Sequence, residues 1–238
     1  MVKLTNTQKI LLFEGIATML LAFGVSNCND QEKIKLGDTF VAICLLAGIV
    51  ISAPFTGGHV NPAVTLGVIT QRKSPFGTST MLIYWLGQLL GAVAGGILSW
   101  FCTGNVSGPV ISLSDAQLAQ GSIVYFHLVA SEVIGAFVFI CTILIVTNDQ
   151  TDFTPNQFIK MLTIAVALFF SRHFAISTGC LNPAVAIGLQ LIIGMKTGNW
   201  QTMTDCWIFI LGPMIGACFG AWYYDYVYSR SYPRKSMA

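Results

Sequence analysis

Thr56-Gly57-Gly58-His59-Val60-Asn61-Pro62-Ala63-Val64 and Ser177-Thr178-Gly179-Cys180-Leu181-Asn182-Pro183-Ala184-Val185 are two versions of one motif. In each, Asn-Pro opens a short apolar segment, Pro62–Ile69 in the first and Pro183–Ile193 in the second. Asn is a favoured N-cap, and Pro fits the first helical turn, where its missing N–H has no intrahelical role. Both segments therefore read as helices. Neither is long enough to cross a bilayer, which takes roughly 20 apolar residues.

The surroundings of these segments are those of a membrane protein. Of the 238 residues, 54% are hydrophobic and 9% charged, with a mean hydropathy of +0.70. A soluble domain carries about 25% charged residues. Six apolar runs are long enough to span, near Ile10–Val25, Thr39–Ala53, Met81–Phe101, Val124–Val146, Phe158–Phe174 and Met203–Tyr226. The polar start Met1 to Lys9 leads into the first run without a small-residue cleavage site, which reads as a retained span. No basic tract points to nucleic acid. The seven cysteines form no C-x-x-C pair and have no histidine cluster nearby, which speaks against a structural metal or a redox dithiol.

The halves repeat each other. Glu14, Asn61 and Gly87, Gly91 and Gly95 have counterparts in Glu132, Asn182 and Gly212, Gly216 and Gly220. Glu14 and Asn61 are 47 positions apart, and Glu132 and Asn182 are 50 apart. An odd number of spans per half turns the second half upside down, as in many transport proteins. The expected architecture is all-α, with residues 1–115 and 116–238 as two inverted repeats within one structural domain. Each repeat holds three spans and a half-helix. Lys3, Lys9, Arg72, Lys73, Lys160, Arg230, Arg234 and Lys235 would share one side, against Lys33, Lys35, Arg172 and Lys196 on the other. That bias places both termini on the cytoplasmic side. The glycines at spacing four suit close packing of helix backbones.

Irregular backbone at membrane depth is tolerated only when buried in protein or lining a water-filled cavity. Two inverted half-helices would meet head to head near the midplane, each presenting partial positive charge and free N–H donors. The Asn61 and Asn182 amides would donate to a passing molecule, while the paired positive ends repel cations. A single Asn-Pro-Ala would pass for a loop cap; two at matching places in a repeat do not.

Together these stretches resemble the two signatures of the aquaporin (major intrinsic protein) family, and the resemblance covers nearly the whole chain. It implies six transmembrane helices plus two re-entrant half-helices, a homotetramer with one pore per subunit, and passive permeation of water or small neutral solutes. The pore motifs would be Asn61-Pro62-Ala63 and Asn182-Pro183-Ala184. Counting back without gaps from the motifs, the family's outer constriction falls on Val41, Phe170, Gly179 and Val185. The family's usual arginine after the second motif is absent, since Val185 stands there, and Ala186 replaces the Asp of many glycerol-conducting members. Arg172 is expected to be a snorkelling loop residue, the alternative being that it supplies the missing charge. His59 matches a family position with a packing and hydrogen-bonding role. Cys180, two residues before Asn182, is a candidate thiol beside the lumen.

An ionisable group inside a span is costly, so Glu14 and Glu132 require a role. A proton relay would make the protein a coupled transporter; as the resemblance implies, they instead accept backbone N–H groups around the half-helices. No catalytic triad, Cys-His pair or phosphate loop appears, and no enzyme or cofactor is expected. The apolar constriction supports a further reading, a poorly conducting aquaporin-like structural subunit of a larger membrane complex.

Overall fold

The computed structural model describes residues 3–28, 37–111, 114–115, 119, 121–174 and 179–233. Lys33, Lys35, Ser177, Thr178, Arg234 and Lys235 lie outside them. The described chain is helical: α1 Asn6–Asn27, α2 Gly37–Thr56, α3 Pro62–Ile69, α4 Thr78–Thr103, α5 Ile123–Thr147, α6 Gln157–Arg172, α7 Pro183–Thr197 and α8 Cys206–Tyr223. A 3₁₀ turn, Gln201–Asp205, leads into α8, and a π-helical turn, Tyr224–Tyr228, follows it. Helices α1, α2, α4, α5 and α8 with its flanking turns are long and apolar enough to span a membrane.

Helix α6, expected as a full span, is 16 residues long. At 1.5 Å per residue that is about 24 Å, short of a hydrocarbon core of about 30 Å. Ion pairs hold it at both ends. Lys160 Nζ lies 2.7 Å from Asp152 Oδ2, and Arg172 Nε lies 2.7 Å from Asp38 Oδ1. Elsewhere polar caps carry helices beyond their apolar runs. At the start of α1, Thr5 and Gln8 form a reciprocal capping box.

The packing repeats between halves. Helix α1 lies along α4 as α5 lies along α8. In the first pair the Gly91 Cα meets the Gly15 backbone so closely that a Cβ would collide with it; in the second a Cβ on Gly216 would sit 2.5 Å from the Val133 carbonyl oxygen. The short helices α3 and α7 fill the space that these pairs enclose. Helix α3 packs on α4 and α8, and α7 on α1, α4 and α8. Their N-termini are the two Asn-Pro junctions.

Candidate functional site

Asn61 and Asn182 cap their helices as their sequence context predicts. Asn61 Oδ1 accepts from Ala63 N at 2.8 Å, and Asn182 Oδ1 accepts from Ala184 N at 3.1 Å and Val185 N at 3.3 Å. The amide ends reach across to the other half. Asn61 Nδ2 donates to Leu181 O at 2.8 Å, and Asn182 Nδ2 donates to Val60 O at 2.9 Å.

The residues that receive these bonds are conformationally unusual. Val60 has φ 57° and Leu181 has φ 53°. A β-branched residue in the left-handed region is a steric outlier, and such strain costs about 1–3 kcal/mol. Both residues are held at each peptide group. Val60 N donates to Glu14 Oε2 at 2.7 Å and Leu181 N to Glu132 Oε2 at 2.9 Å, while their carbonyls accept from the opposite asparagines. Neighbouring N–H groups join in, His59 N to Glu14 Oε1 at 3.0 Å and Cys180 N to Glu132 Oε1 at 3.0 Å. Glu14 also accepts from Thr56 Oγ1 at 2.6 Å and Gln88 Nε2 at 2.9 Å. Each carboxylate thus lies buried inside the protein as an acceptor of loop N–H groups. His59 packs its ring on Tyr84, centroids 4.6 Å apart, and its Nδ1 lies 3.2 Å from Thr65 Oγ1.

Between the junctions runs a cavity of two parts. A wide mouth of about 360 Å³ is bordered by His59, Lys73, Asn148 and Asp149. It narrows to about 10 Å³, which is roughly the space of a single water. Leu45, His59 and Phe139 border both parts, so the two adjoin. In the narrow part Asn61, Asn182, Cys180 and Arg172 face a wall of Leu21, Val25, Val41, Leu168 and Val185.

This lining departs from the sequence expectation at two of its positions. Phe170 does not border the narrow part. It is 57% exposed on the outer face of α6, its ring edge-on to Phe174 at 5.2 Å. The inward face of α6 carries Ile164, Leu168, Ser171 and Arg172. Phe170, two positions beyond Leu168, points about 200° away at 3.6 residues per turn. Gly179 contributes its carbonyl to Arg172 and is not itself among the lining residues.

Arg172 is no snorkelling loop residue. It is the last residue of α6 and 7% exposed. Besides the Asp38 contact, its Nη1 donates to Gly179 O at 2.8 Å. Gly179 has φ 57°, and a Cβ there would collide with the Arg172 backbone, so only glycine lets the second junction lie against the arginine. The signal that marks Arg172 in the sequence is helical spacing from Leu168 and Ile164; counting from the motif hides it. Leu168 and the partners Thr56, Gln88 and Asp38 also went unrecognised, being unremarkable polar or apolar residues until folded together.

A family model described as Major intrinsic protein matches residues 2–224. The chain is 29% identical over 236 residues to Probable aquaporin TIP2-2 of Oryza sativa subsp. japonica, covering 92% of this chain and 87% of the relative. It is 32% identical over 238 residues to Aquaporin AqpM of Methanothermobacter marburgensis, covering 92% and 93% respectively. Among solved structures, the aquaglyceroporin from Plasmodium falciparum superposes with a TM-score of 0.74 at 20% identity, over 93% of this chain and 97% of that one.

Proposed function

The chain belongs to the major intrinsic protein family, and from that premise we propose that the cavity between Asn61 and Asn182 is a pore for passive passage of water or small uncharged solutes. At the coarser level the chain is an integral membrane channel for water or small solutes, not an enzyme. The observation that carries the finer reading is the reciprocal tie of each asparagine amide to the opposite junction, beside a cavity of about 10 Å³. An amide has two N–H groups. One is engaged in the tie, and the other is left for the permeant.

Passage then proceeds as follows. A solute enters the wide mouth hydrated and sheds most of its shell at the narrow part. There the asparagine N–H groups and the Arg172 guanidinium supply hydrogen bonds, while Val41, Leu168 and Val185 supply none. A cation meets the positive ends of α3 and α7 and the Arg172 charge together. Neutral molecules with acceptor oxygens are therefore favoured over ions. With both termini on the cytoplasmic side, the wide mouth faces the cytoplasm and Arg172 the opposite side. The assembly we infer is a homotetramer with one pore per subunit.

The narrowness of the lumen favours a second reading, a poorly conducting subunit that serves a larger membrane complex. Stopped-flow permeability of purified protein in liposomes separates the two. Flux of water, glycerol, urea, ammonia or hydrogen peroxide above protein-free vesicles, abolished by Asn182→Trp, supports the pore; background flux for all five supports the structural subunit.

A further inference from the structure

Two features lie on one column of the surface, the first adjoining the wide mouth of the pore, with which it shares Gln71, Lys73, Asn148 and Asp149. The first is a cavity of about 800 Å³ where the π-helical turn after α8 meets the loop after α3. It is bordered by Arg72, Lys73 and Arg230 and by the carboxylates of Asp149 and Asp225. Asp225 Oδ2 accepts the Arg72 backbone N–H at 2.7 Å, which takes up part of the negative charge. The guanidinium groups of Arg72 and Arg230 sit over the Tyr226 ring, 5.8 and 4.9 Å from its centroid. Among the described residues neither guanidinium is in an ion pair. Two exposed cations thus converge on one aromatic ring, with a third beside them.

The second feature is an apolar groove of about 590 Å³ along the outside of α8, bordered by Leu66, Leu211, Ile215, Phe219 and Trp222. Trp222 stacks on Tyr226 with centroids 6.3 Å apart, and both guanidinium groups lie over the Tyr226 ring, so the groove ends beneath the paired arginines. Both features draw on α3 with its following loop and on α8 with its following turn, and the loop after α5 adds Asn148, Asp149 and Gln150 to the first. Trp and Tyr are the residues that settle at the level of lipid headgroups. A groove at hydrocarbon depth opening beneath paired arginines has the amphipathic form of one ligand class.

We propose that this column holds an anionic phospholipid, its phosphate between Arg72 and Arg230 and one acyl chain along the groove beneath Trp222. Charge selects the lipid. A zwitterionic headgroup brings its own cation and gains less from three basic side chains with two carboxylates, whereas a phosphatidylglycerol headgroup gains from each arginine. An exposed basic side chain near an anionic membrane surface is worth about 1 kcal/mol, or roughly five-fold in affinity.

The test uses the full chain purified in detergent. Native mass spectrometry with dioleoyl phosphatidylglycerol or phosphatidylcholine reads the affinity for each, and the expected result is a clear preference for phosphatidylglycerol. In R72Q/R230Q that preference should fall by about twenty-five-fold, at five-fold per cation. Both side chains are exposed, so the variant should fold; should it not, Arg230→Gln alone, expected to lose about five-fold, takes its place. Phosphatidylglycerol brominated on its acyl chains should also quench tryptophan fluorescence, and Trp222→Phe should remove that quenching. Equal binding of the two lipids overturns the proposal, as does a preference that survives the arginine substitutions. Displacement of the lipid by inorganic phosphate overturns it in favour of a free-anion site. Quenching unchanged in Trp222→Phe overturns the groove assignment.

Discussion

The two Asn-Pro junctions share one device and differ in what stands next to it. Each has a left-handed residue, a buried carboxylate that takes its N–H and an asparagine from the opposite half that takes its carbonyl. Beside the first junction lie His59, Tyr84 and Gln88, a cluster of ring stacking and side-chain hydrogen bonds. Beside the second lies Arg172, bonded to Gly179 O and to Asp38. The shared device holds the two half-helices in place; the unshared neighbour bears the charge. Both junctions need the scaffold, while the proposed discrimination among solutes needs a cation at one end only.

The comparison breaks most completely if the carboxylates go. Glu14→Ala would leave the N–H groups of His59 and Val60 without their acceptor, while Thr56 Oγ1 keeps Ser52 O and Gln88 Nε2 keeps Thr65 Oγ1. An unsatisfied buried donor costs about 1–3 kcal/mol, so a loss of twice that is expected, read as a large fall in thermal stability in detergent. Glu132→Ala should do the same through Cys180 and Leu181. If the two variants differ by more than about half in lost stability, the junctions are not equivalent supports, and the tie is dominated by one of them.

A smaller effect tests the unshared neighbour. Arg172→Ala removes the charge beside the lumen and should raise proton or sodium leak at least about tenfold, since a unit charge at 4 Å amounts to about 4 kcal/mol at an effective dielectric of 20, and 1.4 kcal/mol is a factor of ten. Asp38→Asn removes the carboxylate that partly offsets the guanidinium, so its cation leak should lie at or below that of the wild type, opposite to Arg172→Ala. Val185→Arg, by contrast, puts a second cation into the same narrow space and should lower neutral flux. Unaltered ion leak in Arg172→Ala, measured in liposomes that still conduct the neutral permeant, would show that the arginine does not guard the lumen.

The smallest effect is chemical. Cys180 borders the narrow part, its Sγ 3.3 Å from Asn182 O. Mercurials should inhibit flux, and Cys180→Ser, which changes one atom, should leave flux within about twofold while relieving most of the inhibition. Equal inhibition in the serine variant assigns the effect to another of the seven cysteines.

Why the sequence revealed one of these regions and concealed the other follows from the same contrast. Asn61 and Asn182 announce themselves because capping chemistry is local: Asn, then Pro, then an apolar run. Glu14 and Glu132 announce themselves because a carboxylate in an apolar run is expensive and must be paired. Arg172 gave a false reading, since an arginine near the end of a span usually reaches for the interface. Its fate depends on Asp38, 134 positions away in sequence, and on the handedness of Gly179. Phe170 was misplaced for a related reason: position along the chain was transferred while the angle around the helix was not. Helix α6, 16 residues long, is one residue shorter than the apolar run Phe158–Phe174 that marks it in the sequence.

The crossed asparagines also set the order in which the molecule can be made. Val60 reaches its left-handed conformation with help from Asn182, a side chain 122 positions further on. During synthesis at roughly 5–20 residues per second, that partner emerges seconds after the first junction has left the ribosome. Until then Val60 holds only its Glu14 bond, and the strain it carries has no second anchor. The expected consequence is that the first half-helix stays free to retreat from the bilayer until the second junction has been made. A nascent chain stopped before Asn182 should expose its first junction to membrane-impermeant thiol reagents through a cysteine placed at Val60, and lose that exposure once the second junction has been synthesised.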